Sequence, residues 1–199
     1  MQPVTALLDA NVLFSGHLRN LLLQLASNDV FVARWSALIE DEWLRNTPPR
    51  TRERVRSRTI PLIRKWFSDA HVTEFDPTRS IGGTDPKDRH VASAAAAVAP
   101  STLVTLNLKD FDFAALKEVG VSVLSPDEFL AGVFEKGPEV VDVATREAAA
   151  NLSHSIPRWD DYLTDLATRH GLKNFVECLR SWRPEDIELP SDLGTPVPK

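Results

Sequence analysis

The chain has 199 residues, of which 43% are hydrophobic and 26% charged, a composition typical of a globular protein large enough to bury a core without disulfides. Its single cysteine, Cys178, excludes an internal disulfide and a cysteine-rich metal site, and it favours a cytoplasmic location. The net charge of −5 counts against a simple nucleic-acid-binding module, which usually carries a basic excess. We expect no secretory signal and no membrane-spanning helix, because no apolar run approaches 18 residues.

Short apolar segments alternate with helical patterns over residues 1–134. The segments predicted as strands are residues 4–8, 30–33, 71–75, 102–106 and 121–124. Between the first two, leucines recur at three- and four-residue spacing from Leu18 to Leu25, which indicates an amphipathic helix. This alternation predicts an α/β fold in which a parallel sheet is flanked by helices.

The remainder of the chain has a different pattern. A Glu-Lys-Gly-Pro segment at 135–138 marks a plausible boundary after the α/β domain. Three helical patterns follow at about 138–154, 158–170 and 173–182, and they predict a helical extension over 135–183. Residues 184–199 contain four prolines and little periodicity, which predicts an extended tail.

Four acids stand at the ends of predicted elements. Asp9 ends the first strand, Glu42 lies on the helix after the second, Asp88 lies in the first turn of the helix before the fourth, and Asp110 follows the fourth. The carboxyl ends of parallel strands share one edge of the sheet, where ligands collect. Clustered carboxylates repel one another unless a hard cation such as Mg²⁺ or Mn²⁺ neutralises them. Such an ion can hold a phosphodiester and activate a water molecule.

The motifs that carry these acids occur in the order seen in PIN-domain ribonucleases. They are Leu-Leu-Asp9-Ala-Asn11-Val-Leu, Ser36-Ala-Leu-Ile-Glu-Asp-Glu42-Trp, Asp85-Pro-Lys-Asp88-Arg-His-Val-Ala and Val-Thr105-Leu-Asn107-Leu-Lys-Asp110-Phe. Over residues 1–134 the chain resembles the VapC toxins of bacterial toxin–antitoxin pairs. The resemblance implies a five-stranded parallel sheet and an endoribonuclease that depends on Mg²⁺ or Mn²⁺. It also implies an RNA substrate, a homodimer and inhibition by a cognate antitoxin protein.

The resemblance also implies roles for individual residues. The catalytic metal ligands would be Asp9, Glu42, Asp88 and Asp110. Polar residues that support the site would be Asn11, Thr105 and Asn107. The helical extension after residue 134 goes beyond a minimal PIN domain, and the resemblance implies no chemistry for it.

The identity of the second acid is open among three neighbours. Glu40, Asp41 and Glu42 are adjacent, and only one of them should face the site. We favour Glu42, because it follows an apolar pair at helical spacing and directly precedes Trp43. Glu40 and Asp41 are then expected to face solvent. Asp85 is more simply explained as a helix N-cap than as a metal ligand.

An arginine-rich segment spans residues 45–58. Four of its members are candidate RNA contacts, because arginine suits phosphate recognition: Arg50, Arg52, Arg54 and Arg56. The same pattern is also typical of a solvated helix face, and it could bind an acidic antitoxin.

Two other functions fit parts of the pattern. One is a catalytically degenerate PIN scaffold that binds RNA or a protein partner. The other is a phosphohydrolase of the haloacid-dehalogenase type, in which Asp9 would be the nucleophile. The second is the weaker alternative, because Asn11 stands where such phosphatases place a second aspartate.

Overall fold

The computed structural model describes residues 3–183, which form a parallel β-sheet flanked by helices. Its strands, in the order β2-β1-β3-β4, are β1 (Val4–Leu8), β2 (Phe31–Arg34), β3 (Ser101–Val104) and β4 (Val121–Leu124). Every neighbouring pair is parallel. The predicted α/β class and parallel sheet are therefore confirmed.

Helices account for most of the remaining described chain. They are α1 (Ala10–Phe14), α2 (Gly16–Ser27), α3 (Ala37–Asn46), α4 (Pro49–Arg54), α5 (Ile60–Trp66), α6 (Arg89–Ala97), α7 (Phe113–Glu118), α8 (Pro126–Lys136), α9 (Pro138–Ala150), α10 (Trp159–Arg169) and α11 (Lys173–Ser181). A π-helical segment, Val55–Thr59, joins α4 to α5. Short 3₁₀ turns lie at Pro86–Asp88 and Leu108–Asp110.

The sheet of the described residues has four strands, so the expectation of five was wrong. The predicted strand at 71–75 contributes only a single bridge, between His71 and Trp35. This bridge lies at the carboxyl end of β2, which is an edge strand of the sheet. Val72 is buried and its N–H donates to the carbonyl of Trp35 at 2.8 Å. The next two residues are exposed and Phe75 is only partly buried, so the alternating burial that would hold a strand against the sheet is not sustained.

Strand β1 lies at the centre and determines where a site can form. It pairs with β2 on one side, through Val4 and Phe31, and with β3 on the other, through Leu8 and Val104. The strand order therefore reverses at β1, which opens a crevice at the carboxyl ends of β1 and β3. The residue that follows β1 at this crevice is Asp9.

The helical extension shares its core with the α/β region. Helix α9 packs along α2, and α11 packs against α8. Val141, Tyr162 and Phe175 are fully buried in the same hydrophobic cluster as the strands. Its three helices lie within a few residues of the predicted positions. The predicted extended tail, 184–199, lies outside the described residues.

None of the helices between residues 3 and 183 combines the length and the apolar character that a membrane crossing needs.

Candidate active site

Asp9 is fixed at the end of β1 by a set of short hydrogen bonds. Its N–H donates to the carbonyl of Val104 at 3.1 Å, which continues the strand ladder. Its carboxylate is only 3% exposed. Oδ2 accepts hydrogen bonds from Thr105 Oγ1 and from Asn11 Nδ2, both at 2.7 Å, and Oδ1 accepts one from the N–H of Ala10 at 2.6 Å. Thr105 and Asn11 thus orient the carboxylate.

Asn107, the third predicted supporting residue, acts on Asp9 indirectly, through Thr105. Its backbone N–H donates to Thr105 Oγ1 at 3.0 Å, and its exposed side chain lines the cleft above the strands. Asn11 Oδ1 accepts from the N–H of Leu106 at 3.1 Å. The second of these bonds ties the loop after β3 to α1, which follows β1.

Asp88 lies at the end of a 3₁₀ turn that Asp85 begins as predicted, by accepting a hydrogen bond from the N–H of Lys87 at 3.0 Å. Asp88 itself makes no capping hydrogen bond to α6. Its carboxylate is 6% exposed, and within the described chain its Oδ2 has no hydrogen-bond partner. Asp88 is therefore not explained as a helix cap.

The environment of Asp88 disfavours its ionised form. Burial, which is the largest cause, and the negative charges of Asp9, Asp110 and Asp85 together raise the pKa of Asp88 to about 6, against the opposing effect of Lys87. A carboxylate in such surroundings is stabilised by any cation that enters the cluster.

Backbone hydrogen bonds bring distant acids together. The N–H of Asp85 donates to the carbonyl of Asp110 at 2.8 Å, and the N–H of Gly83 donates to Asp112 Oδ2 at 2.8 Å. As a result, carboxylate oxygens of Asp85, Asp88 and Asp110 all lie within 4.8 Å of one another. Asp85, expected only as a cap, therefore joins the acids as well.

The remaining predicted acids border this group without belonging to it. Burial raises the pKa of Asp9, although its hydrogen bond from Thr105 acts in the opposite direction, and the charge of Glu42 adds to the rise. Glu42 Oε2 lies 3.3 Å from His90 Nε2, and this pairing lowers the pKa of Glu42. Asp9 and Glu42 thus place further negative charge beside the group formed by Asp85, Asp88 and Asp110.

Two of the predicted acids, Glu42 and Asp88, line an open cleft of about 550 Å³. Its lining residues are Leu38, Glu42, Arg45, Asn46, Lys87, Asp88, His90 and Asn107. A larger groove of about 1290 Å³ runs along α2 and α5 and contains none of the four predicted acids. Of the two, the smaller cleft is the one that predicted acids line, so it is the candidate active site.

The expectation that Glu40 faces solvent is wrong. Its side chain is 2% exposed and accepts hydrogen bonds from Trp35 Nε1 at 2.8 Å and from Arg64 Nε at 2.9 Å. A third bond joins it to His71 Nε2 at 2.7 Å. Glu40 is therefore a buried structural acid, whereas Asp41 is exposed as expected.

Two basic residues in the cleft, Lys87 and His90, were not predicted as site residues. Lys87 Nζ lies 3.1 Å from Asp110 Oδ2 and 3.9 Å from carboxylate oxygens of Asp85 and Asp88. The hydrogen bond to Asp110 raises the pKa of Lys87. Pairing with Glu42 likewise raises the pKa of His90. Both residues lie within one helical turn of Asp88 in the sequence, one on each side. This proximity could have identified them as site residues.

The candidate RNA-binding arginines lie away from this cleft. Arg52 donates to the carbonyls of Thr47 and Arg45, so it stabilises the C-terminal end of α3. Arg54 lines the larger groove, and Arg50 and Arg56 are exposed. The arginine that lines the acidic cleft is Arg45.

Comparisons of the chain with protein-family models, with curated proteins and with solved structures find no match. The chemistry of the cleft and the order of the motifs are therefore the features that indicate a function.

Proposed function

We propose that this protein is a metal-dependent endoribonuclease that hydrolyses RNA phosphodiester bonds. Mg²⁺ or Mn²⁺ would be held by Asp9, Asp88 and Asp110, with Glu42 contributing directly or through water. The observation that carries the proposal is the buried Oδ2 of Asp88, which has no hydrogen-bond partner in the described chain and faces other carboxylates. A buried acceptor in this situation is costly unless a cation or a donor satisfies it.

The donor set fits this class of ion. Every candidate ligand is a carboxylate oxygen, which suits Mg²⁺ and Mn²⁺ rather than softer metals. Asp85 adds a further oxygen within 4.8 Å of Asp88 and Asp110. When bound, the ion would polarise the scissile phosphate and lower the pKa of a coordinated water.

The side chains around the acids would bind and orient RNA. Lys87 is well exposed and carries its charge into the cleft, where it can contact a phosphate oxygen. Arg45 and Asn46 line the same cleft and extend this polar surface along α3. Asp9 would need to move little on binding, because Thr105 and Asn11 already orient its carboxylate.

The biological context follows from the motifs alone. Because they resemble those of VapC toxins, we propose that the chain is a cytoplasmic toxin of a VapBC-type pair, acts as a homodimer and is held inactive by a cognate antitoxin. A short reading frame immediately upstream that encodes a small DNA-binding protein would support this. Co-purification of that protein with the chain, with loss of nuclease activity, is the direct test.

The activity is tested by incubating purified protein with a structured RNA in Mg²⁺ or Mn²⁺ and, in parallel, in EDTA. We expect cleavage in the presence of metal, none in EDTA and none by Asp9→Asn. Cleavage that persists at full rate in EDTA or in the Asp9→Asn variant would overturn the proposal.

One observation favours a second candidate, the degenerate scaffold that binds RNA or a protein. Lys87 already places positive charge 3.1 Å from Asp110, and His90 pairs with Glu42, so the protein itself already satisfies part of the acidic group. A titration with Mn²⁺ separates the two functions. The scaffold is favoured if Mn²⁺ does not bind while RNA does.

A further inference from the structure

We propose that His17, Asp165 and His170 form a second metal site, selective for a divalent transition metal such as Zn²⁺. One ligand atom of each residue lies within 4.8 Å of the other two. Asp165 Oδ2 is 2.7 Å from His17 Nδ1 and 3.4 Å from His170 Nε2. Two imidazoles and one carboxylate are a ligand set that Zn²⁺ favours and Mg²⁺ does not.

The distances are close to those of a coordinated ion. A tetrahedral ion with bonds of about 2.0–2.1 Å places its ligand atoms roughly 3.3 Å apart. The His170–Asp165 separation of 3.4 Å already matches this spacing, whereas the His17–Asp165 pair must open by roughly half an ångström. The His17 side chain is 30% exposed, so it has room for that movement.

A polar atom in the cluster points to a ligand. His170 Nε2 is buried and makes no hydrogen bond within the described chain. The other ring nitrogen, Nδ1, lies 3.2 Å from Ser15 Oγ. In the tautomer whose Nδ1–H donates to Ser15, Nε2 carries a lone pair 3.4 Å from Asp165 Oδ2 that is free to bind a metal. A hydrogen bond of this kind from the outer ring nitrogen is the usual support for a metal-binding histidine.

A metal ion can reach this site, and one carboxylate oxygen of Asp165 is available to bind it. Arg169 Nη1 lies 3.3 Å from Asp165 Oδ1, which leaves Oδ2 for an ion, and the exposed Arg169 side chain can move away. His17 also lines the larger groove, which offers a path from solvent.

An ion here would join two parts of the chain. His17 lies in the first turn of α2, while Asp165 lies in α10 and is 148 residues away in sequence. His170 directly follows α10. Bound Zn²⁺ would therefore anchor the helical extension to the α/β region and stabilise the folded state. The proposal is independent of any nuclease activity.

The test uses the full-length chain without a polyhistidine tag, in excess Mg²⁺ so that the acidic cleft is occupied by the harder ion. Zn²⁺ stoichiometry is measured by dialysis and atomic emission, and Co²⁺ is used as a visible-absorption probe. We expect one Zn²⁺ per chain, an intense Co²⁺ spectrum and a higher thermal unfolding midpoint with Zn²⁺. His17→Gln and His170→Gln should each weaken binding at least about tenfold.

Two control variants separate the sites. His154→Gln removes an exposed histidine outside the cluster, and Asp88→Asn removes an acid of the cleft; both should still bind one Zn²⁺. Absence of Zn²⁺ binding to the wild type, or unchanged binding by His17→Gln and His170→Gln, would overturn the proposal and leave the cluster as an ordinary hydrogen-bonded triad. If His170→Gln does not fold, the partly exposed His17→Gln decides the matter.

Discussion

Thr105 Oγ1 donates a hydrogen bond of 2.7 Å to Asp9 Oδ2 and so joins the ends of two neighbouring strands across 96 residues of sequence. Both side chains are buried. The bond holds the carboxylate of Asp9 in one orientation and opposes the rise in the pKa of Asp9 that burial causes. Function at this site should therefore be sensitive to a residue that binds no substrate.

Replacing Thr105 by Val keeps the shape of the side chain and removes the donor. We expect metal-dependent RNA cleavage to fall at least about tenfold, as for loss of an outer partner of a metal ligand. The pH at which activity is half-maximal should also rise, because the pKa of Asp9 is no longer lowered by this bond. Thr105→Ser keeps the hydroxyl and should retain the wild-type pH profile. Equal profiles for both variants would show that the bond has no such role.

Asp88→Asn should stabilise the metal-free protein at neutral pH. The pKa of Asp88 is raised to about 6 in the folded state, so its ionisation destabilises the fold between pH 4 and 6 and fully above pH 6. The variant should exceed the wild type by about 2 kcal/mol in free energy of unfolding at pH 7.5 and match it near pH 4. Urea titrations in EDTA at both values measure this. A variant that is less stable at pH 7.5 would contradict the account.

Glu40→Gln should have the opposite pH dependence. Burial raises the pKa of Glu40, but hydrogen bonds from Arg64, His71 and Trp35 outweigh this, so the pKa is lowered overall. Its contribution to stability is present above pH 4.5 and is lost as the pH falls below that value. We expect the variant to lose about 2 kcal/mol at pH 7, and the difference to shrink in acid. Asp41→Asn, at the exposed neighbour, is the matched control and should change stability little.

Gly82→Ala should disturb the loop that holds the acids. Gly82 has φ of +53°, and a Cβ built on it would overlap Asp112 and Ala115. The backbone strain alone costs roughly 1–2 kcal/mol. Gly83→Ala places its Cβ at an ordinary 3.5 Å from Asp112 Oδ2 and is the control. Thermal unfolding should show a lower midpoint for the first variant only; an equal shift in both would refute the steric argument.

The local patterns of the sequence predicted the frame of the site. Asp9 follows an uninterrupted apolar strand, and Asp85 and Pro86 together mark a helix start, so both positions could be assigned without a structure. The orientation of Glu40 could not, because its partners Arg64 and His71 lie 24 and 31 residues further along the chain. Pairing of that kind is a tertiary property that helical spacing does not record.

Two further features were hidden for similar reasons. The segment that begins at His71 has strand-like residues, but within it only His71 forms a bridge, to Trp35 at the edge of the sheet. Lys87 has the pattern of a surface lysine, and only the backbone bond between Asp85 and Asp110 places its charge among the acids. The candidate site is thus completed by residues that tertiary contacts bring together and that their spacing in the sequence does not indicate.

We infer that the clustered acids bind a divalent metal ion and use it to cleave RNA. The most direct measurement is the single-turnover rate of RNA cleavage at saturating Mn²⁺ for the wild type and for Asp9→Asn, with Asp41→Asn as the control on an exposed acid. We predict a metal-dependent rate for the wild type and the control, and a rate at the EDTA background for Asp9→Asn. Equal rates for the wild type and Asp9→Asn, or a wild-type rate that does not depend on Mn²⁺, would contradict the account.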